Sequence, residues 1–394
     1  MATDVRSLES LEVLRDGVPV GFLDRLPDGC RFSYLPEFLL SSQEPIARHL
    51  PKSPEGVVVR GLTNLPSYFA GLLPEGLMFD VAVRMVRTSR DDLFSLLAAT
   101  GSDAIGDITV RVPGEEPSSH RLDLTEAMEE IQNILSGHGA TPGTISAIAG
   151  VQPKISLGGL FRTARTALTI AKFQPREFPN LLQNEAAIMR LAARCGLPAA
   201  KVELREEALL VTRFDRVLDR QTRRLRQVHV EDALQLMNLY PHRKYTLDYR
   251  EILQVIEGLH AGKAALLDAL RLYVFSYLVG NGDLHAKNVS LLYERETRRW
   301  RMTPAYDLLS TLPYASLLSG ADRMALALED EAFGRFEAQD FIEMGSSFDL
   351  PESAVLRMIQ NLGTKLLFRL PDLEGLPEAT VAEIERRARA LLAR

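Results

Sequence analysis

Near the start of the chain, apolar and polar positions alternate with a period of two. The run "LEVLRDGVPVGFLDRL" alternates on both sides of Asp16-Gly17, and that dipeptide between two alternating runs predicts a tight hairpin. "CRFSYLPEFLL" reads as a further strand, ended by Pro36. Residues 65–100 then switch to helical spacing. In "DDLFSLLAATG", Leu93, Leu96 and Leu97 fall on one helical face and Gly101 stops the helix. "DITVRV" at 107–112 predicts one more strand.

The pattern breaks after that strand. "PGEEPSSH" at 113–120 has the Pro, Gly and Ser content of a loop. Asp123 with Glu126 forms a capping box for a helix that ends near Gly137. "GHGATPGT" at 137–144 is a second loose stretch and places a domain boundary there. Beyond it, "KISLGG", "TALTIAKF", "KVELREE" and "ALLVTRFDR" read as strands, with one helix, "NLLQNEAAIMRLAARCG", closing on Gly196. Residues 230–394 are mostly helical in pattern. A small sheet with one helix, followed by a helical region, is the layout of a protein-kinase-like, two-lobed α+β fold. The expected domains are 1–140 and 141–394, the latter divided into a β-rich small lobe at 141–216 and a larger helical lobe at 217–394.

A length of 394 residues agrees with more than one domain. With 46% hydrophobic and 25% charged residues, the chain is ordinary for a soluble globular protein. Its net charge of -6 does not show the basic face of a protein that grips DNA unaided, and leaves room only for a local patch. Arg220, Arg223, Arg224 and Arg226 cluster in "DRQTRRLRQ", which reads as a solvated turn. Two cysteines, Cys30 and Cys195, make neither a disulfide framework nor a four-ligand zinc site, and are expected as reduced, buried thiols. "MATDVRSLESLEVL" lacks the pattern of a signal peptide, and no apolar run approaches the ~18 residues of a membrane span. A cytoplasmic location with no membrane partner is therefore expected.

The chemistry concentrates in "YLVGNGDLHAKNVSLLY". An apolar helix there delivers Asn281, Asp283, His285, Lys287 and Asn288 together. Asp283 and Asn288 have the D-x4-N spacing of a kinase catalytic loop, in which the Asp accepts the substrate hydroxyl proton and the Asn turns back to Mg²⁺. Asp307, 19 residues after Asn288, is an acid within the apolar run "PAYDLLS". Such an acid is costly unless paired or bound to a metal, and its oxygens suit Mg²⁺. Lys172 ends the strand "ALTIAKF", where it can reach ATP phosphates, with Glu185 on the next helix as its expected ion-pair partner. "IAGVQPK" at 148–154 is a small-residue turn whose backbone N–H groups suit phosphate. Singly, each has a structural alternative: a turn, a helix cap, a snorkelling lysine. Their order, which is that of a kinase, carries the reading.

These blocks also resemble a known family. "AGVQPKISL", "NEAAIMRLAARCGLPAAKVEL", "VTRFDR", "VHVEDALQL", "GNGDLHAKNVSLL" and "PAYDLLST" look like those of HipA-type toxin kinases, in the same order. "FSYLPEFL", "GLLPEG" and "DLFSLLAATGSDAIGDITV" resemble the α/β HipA amino-terminal domain. The resemblance runs from about residue 10 to 370. It implies a serine/threonine kinase toxin using ATP and Mg²⁺, with Asp283 as catalytic base and Asn288 and Asp307 holding the metal. It implies a phosphate loop at Ala149, Gly150, Val151, Gln152, Pro153 and Lys154, and phosphate contact by Lys172. Thr212, Arg213 and Phe214 match the adenine-contacting segment; His285, Ala286 and Lys287 line the nucleotide side of the loop, and Tyr306 sits beside Asp307. Implied partners are a HipB-like helix-turn-helix antitoxin, operator DNA mainly through that antitoxin, and a protein substrate such as an aminoacyl-tRNA synthetase. One position departs: where family members autophosphorylate a Ser three residues before the loop Gly, this chain has Ala147, and Ser146 is the nearest substitute. A catalytically idle, antitoxin-binding corepressor and a small-molecule kinase are the competing readings. The intact set of Asp283, Asn288, Asp307 and Lys172 weighs against the first, and the amino-terminal resemblance against the second.

Overall fold

The computed structural model describes residues 4–61, 65–115, 154–156, 168–175, 177–205, 208–219, 225–318, 320–328 and 335–393. In chain order its first elements are β1 (Ser10–Arg15), β2 (Val18–Leu26), β3 (Gly29–Tyr34), α1 (Pro36–Leu40), β4 (Val57–Arg60), α2 (Ser67–Gly71), α3 (Gly76–Val86), α4 (Leu93–Thr100) and β5 (Ile108–Arg111). Next come β6 (Lys154–Ser156), β7 (Thr169–Phe173), α5 (Leu181–Cys195), β8 (Val202–Leu204), β9 (Ala208–Thr212), β10 (Arg216–Leu218), β11 (Leu225–Gln227) and β12 (His229–Asp232). The remainder is α6 (Ala233–Leu236), α7 (Tyr249–Gly258), α8 (Lys263–Val279), β13 (Ser290–Glu294), β14 (Arg299–Met302), α9 (Ala338–Ser346), α10 (Glu352–Arg369) and α11 (Glu378–Leu392). The fold is α+β. The helix expected at 123–137 and the boundary at 140 lie outside the described residues. The backbone forms two compact units: Met1–Phe173 with Thr212–Glu231 and Asn238–Pro241, and Gln174–Val211 with Asp232–Met237 and His242–Arg394.

The first unit is built on an antiparallel sheet of order β4-β3-β2-β1-β5. Its first hairpin turns at Asp16 and Gly17, both at positive φ (48° and 79°), with Arg15 paired to Val18. That is the two-residue turn whose twist matches the strands. Leu11, Val13, Leu23 and Phe32 point inward and pack with Phe69 of α2 and Phe94 and Leu97 of α4. Asp92 caps α4 by accepting from Ser95 N–H at 3.2 Å. Cys30 is free and buried, and burial pushes its thiol up to about 12.

This unit also buries charge. Arg213 forks onto Asp215 through Nε (2.9 Å) and Nη2 (2.7 Å), and its Nη1 reaches Asp103 at 2.9 Å. Arg216 contacts the same two acids at 2.8 Å and 3.1 Å, and Gly106 N–H donates to Asp215 at 2.9 Å. Burial opposes the Asp215 charge, but Arg213 and Arg216 outweigh it and hold the carboxyl at about 2. Among the described residues two arginines balance two aspartates here, so removing Asp215 or Arg213 takes away a buried partner charge, at about 3–5 kcal/mol. These bonds explain why segment 212–231 belongs with the first sheet although it follows α5 in the chain.

His229 joins the same unit. Its Nδ1 lies 3.1 Å from Asp107 and its Nε2 3.0 Å from Glu231, while Arg15 stands 3.5 Å from Asp107's other oxygen. An imidazole donates on both sides only when protonated. Burial disfavours that charge, but Asp107 and then Glu231 overcome it and raise the pKa from 6.5 to about 9. A pKa raised by folding contributes stability that is complete below the unfolded value and lost as pH climbs through the folded one. Urea unfolding should therefore show stability falling between about pH 6.5 and 9. His229→Gln should remove that part of the slope; an unchanged slope would mean the ring is neutral in the folded chain.

The second unit is mainly helical. Leu270, Tyr273, Val274, Phe275, Leu278 and Val279 leave hardly any of α8 exposed, so it runs through the interior. α10 buries Val355, Ile359, Leu362 and Leu366, the three-to-four spacing of one face. α5 closes at Gly196 in the left-handed region, as its pattern predicts. Cys195, just before it, is a free, buried thiol raised by that burial to about 11. β8 and β9 form a hairpin in register Val202–Val211, and β13 and β14 another in register Leu291–Met302. Among the described residues, no helix is long and apolar enough to cross a membrane.

Candidate active site

α8 ends where the polar cluster begins. Gly280 takes φ 66°, and Asn281 N–H turns back to Ser276 O at 2.8 Å, a glycine-terminated helix end. A Cβ on Gly282 would stand 2.6 Å from Arg323 O and 2.7 Å from Thr311 Oγ1, so only glycine fits. Gly282 N–H donates to that Thr311 oxygen at 2.9 Å. Asn281 is fully buried. Its Oδ1 accepts from Asp283 N–H at 3.1 Å, and its Nδ2 has no partner among the described residues.

The loop then folds on Asp283. The Asp283 carbonyl accepts from His285 N–H at 2.8 Å and from Asn288 Nδ2 at 2.9 Å. This second bond gives the D-x4-N spacing a physical meaning: five residues on, the Asn amide closes the loop onto the backbone of the Asp. His285, Ala286, Lys287 and Asn288 are buried, whereas Asp283 is half-buried. Asp283 Oδ1 accepts from the Tyr245 hydroxyl at 2.8 Å.

Asp307 is pinned beside this loop. Tyr306 donates to Lys287 O at 2.8 Å, and Ser290 Oγ lies 2.5 Å from the same phenol oxygen. Burial drives the Tyr306 hydroxyl's pKa upward, so it stays a donor. Ala305 bonds across to Pro198 O and Ala200 N at 2.8 and 2.9 Å. On the far side, Asn184 of α5 donates to Ser310 O at 2.8 Å and accepts Ser310 N–H at 2.9 Å. Between these anchors Asp307 itself takes φ 55°. A non-glycine residue at positive φ is held there at a cost by its surroundings, a common feature of functional sites.

The donor set fits Mg²⁺. Asn288 commits its Nδ2 to Asp283 O, which leaves its Oδ1 as the pole for a cation, and Asp307, a half-buried residue, adds a carboxylate. Hard oxygens of this kind, one or two carboxylates at a time, suit Mg²⁺ completed by phosphate and water.

In the first unit, Lys172 is buried at the end of β7, its backbone in register with Lys154 of β6. Thr212 is exposed, Phe214 is half-buried, and Arg213 is buried in the carboxylate cluster described above. Glu185 is fully buried on α5, within the second unit. Ala149, Gly150, Val151, Gln152 and Pro153, together with Ser146 and Ala147, lie outside the described residues. So do Arg220, Arg223 and Arg224, while Arg226 is exposed. Two residues escaped the sequence reading. Tyr245 gives no local signal 38 positions before Asp283. Asn184 gives a weak one, as a lone amide among the apolar positions of α5.

Comparison with known proteins decides the family. A HipA-like C-terminal domain matches residues 146–367, and a HipA N-terminal domain matches residues 11–111. The chain belongs to the HipA family. A Sinorhizobium fredii relative named putative kinase Y4dM is 33% identical over 349 residues, 80% of either chain. The serine/threonine-protein kinase toxin HipA of Shewanella oneidensis is 30% identical over 303 residues, 69% of this chain and 68% of that one. In structure, this HipA-family chain superposes with a TM-score of 0.74 on a chain of the Shewanella oneidensis MR-1 complex of HipA, HipB and its operator DNA. That match covers 97% of this chain and 96% of the other, at 23% identity, and it shows a common fold.

Proposed function

We propose that this HipA-family chain is a Mg·ATP-dependent serine/threonine kinase acting as the toxin of a HipA/HipB-type pair. The observation that carries the reading is the loop from Gly280 to Asn288, closed by Asn288 on Asp283 and strapped to the Asp307 segment by Tyr306. Asp283 orients the acceptor hydroxyl and takes its proton as the oxygen bonds to the γ-phosphorus and ADP departs. Asn288 and Asp307 would hold Mg²⁺, which when bound would supply positive charge at the phosphate oxygens. His285, Ala286 and Lys287 line the nucleotide side of the loop, with Tyr306 beside Asp307. By resemblance to the family, Lys172 holds ATP phosphates and residues 149–154 form the phosphate loop. Thr212 to Phe214 meet adenine; because Arg213 is committed to Asp103 and Asp215, that contact falls to Thr212, Phe214 and the backbone.

The likeness to a HipA–HipB–operator complex supports a helix-turn-helix antitoxin as partner. The net charge of -6 supports DNA contact mainly through that antitoxin. The proposed target is a protein, an aminoacyl-tRNA synthetase by family resemblance. With Ala147 at the usual acceptor position, self-phosphorylation is absent, slow or shifted to Ser146. Expression of this chain alone should arrest growth, and co-expression of its antitoxin should relieve the arrest. Arrest of equal strength by Asp283→Asn would contradict a toxin that acts by phosphorylation.

A further inference from the structure

Tyr245 belongs to no segment that the kinase reading uses, yet its hydroxyl donates to Asp283 Oδ1 at 2.8 Å. The turn that carries it is fastened to the catalytic loop at two further points. Ala286 N–H donates to Lys244 O at 3.1 Å, and the Tyr245 ring meets His285 edge-on, with centroids 5.2 Å apart. Arg243 Nε donates to Thr246 Oγ1 at 2.7 Å and closes the turn on itself. Tyr245 is 48% exposed. With this much of the residue exposed, Tyr245 is not a core phenol placed there by packing alone. Its bond to Asp283 is charge-assisted, a neutral donor on a carboxylate.

A carboxylate has two oxygens and rotates about a soft torsion. Asp283 has a side-chain donor on Oδ1 alone among the described residues. We propose that Tyr245 is a positioning residue for phosphoryl transfer: by holding Oδ1, it sets the rotation of the Asp283 carboxylate and presents Oδ2 to the acceptor hydroxyl. The proposal rests on Asp283 being the catalytic base. A base free to rotate spends less of its time in line with the attacking hydroxyl, and misplacement on the ångström scale costs up to about 10²-fold in rate. The phenol meets Asp283, the group that acts on the acceptor hydroxyl, so its loss should act on turnover.

Tyr245→Phe removes the hydroxyl and keeps the ring on His285. The test measures transfer of labelled γ-phosphate from Mg·ATP to protein in an extract of the source cells. It compares the wild type, Tyr245→Phe, Asp283→Asn and the double variant. Tyr245→Phe should lower kcat roughly 10-fold and leave the KM for ATP within about twofold. In the Asp283→Asn background, it should cost nothing further, because residues that act as one unit are not additive. Full kcat in Tyr245→Phe beside an inactive Asp283→Asn overturns the proposal and spares the base. An undiminished Tyr245→Phe loss in the double variant also overturns it, by placing the phenol's effect elsewhere. Normal turnover in Asp283→Asn removes the base, and the proposal with it.

Discussion

Asp283→Asn is expected to lower phosphoryl transfer roughly 10²–10⁴-fold, the range associated with a lost general base, with the fold retained. The bonds that shape the loop use the Asp283 backbone. His285 N–H and Asn288 Nδ2 both donate to its carbonyl, and its own N–H goes to Asn281. None of these depends on the carboxylate. An Asn side-chain oxygen can still accept from Tyr245, so the one side-chain contact survives as well. What is lost is the capacity to take a proton. Circular dichroism and urea midpoints should match the wild type while initial rates collapse. A variant turning over at near-normal rate would remove Asp283 from the chemistry and leave it a loop residue.

Asp307→Ala should weaken Mg²⁺-dependent ATP binding far more than it weakens the fold. Tyr306, Ala305 and Ser310 anchor the segment on both sides without using the Asp307 carboxylate. The backbone at φ 55° adds a complication, because Ala tolerates that region poorly, at a cost of roughly 1–2 kcal/mol. Asp307→Asn separates the two effects, since Asn accepts the left-handed region and gives up the negative charge. Nucleotide titrations with and without Mg²⁺ should show both variants losing the metal-dependent gain in affinity. Unchanged affinity with Mg²⁺ in both would make Asp307 a structural residue, there for its backbone conformation.

Much of this arrangement was legible because it is written locally. Asp16-Gly17 announces the first hairpin, Leu93, Leu96 and Leu97 announce α4, and Gly196 announces the end of α5. "GNGDLHAKN" keeps its glycines, aspartate and amide within nine positions, so a single short loop discloses most of the candidate site's geometry. The rest depends on partners distant in sequence. Arg213 matches an adenine-contacting segment by position, but its side chain is claimed by Asp103, 110 residues earlier. His229 is unremarkable in "VHVEDALQL" until Asp107 and Glu231 close on it. For the same reason 212–231 joins the first compact unit instead of following the run of the chain. Asn184 and Tyr245 likewise acquire meaning only through Ser310 and Asp283. Hydrophobic periodicity records which face is buried; it does not record which buried or half-buried polar groups find each other.

The central claim is that this HipA-family chain transfers phosphate from ATP to a protein hydroxyl, and labelled ATP tests it most directly. Purified chain is incubated with γ-labelled ATP, Mg²⁺ and an extract of the source cells, with Asp283→Asn in parallel. The products are separated into protein and small-molecule fractions. The account predicts label on a discrete protein band, present with the wild type, absent with Asp283→Asn, and recovered as phosphoserine or phosphothreonine. Label confined to a metabolite, or no label that the wild type adds over Asp283→Asn, would contradict it.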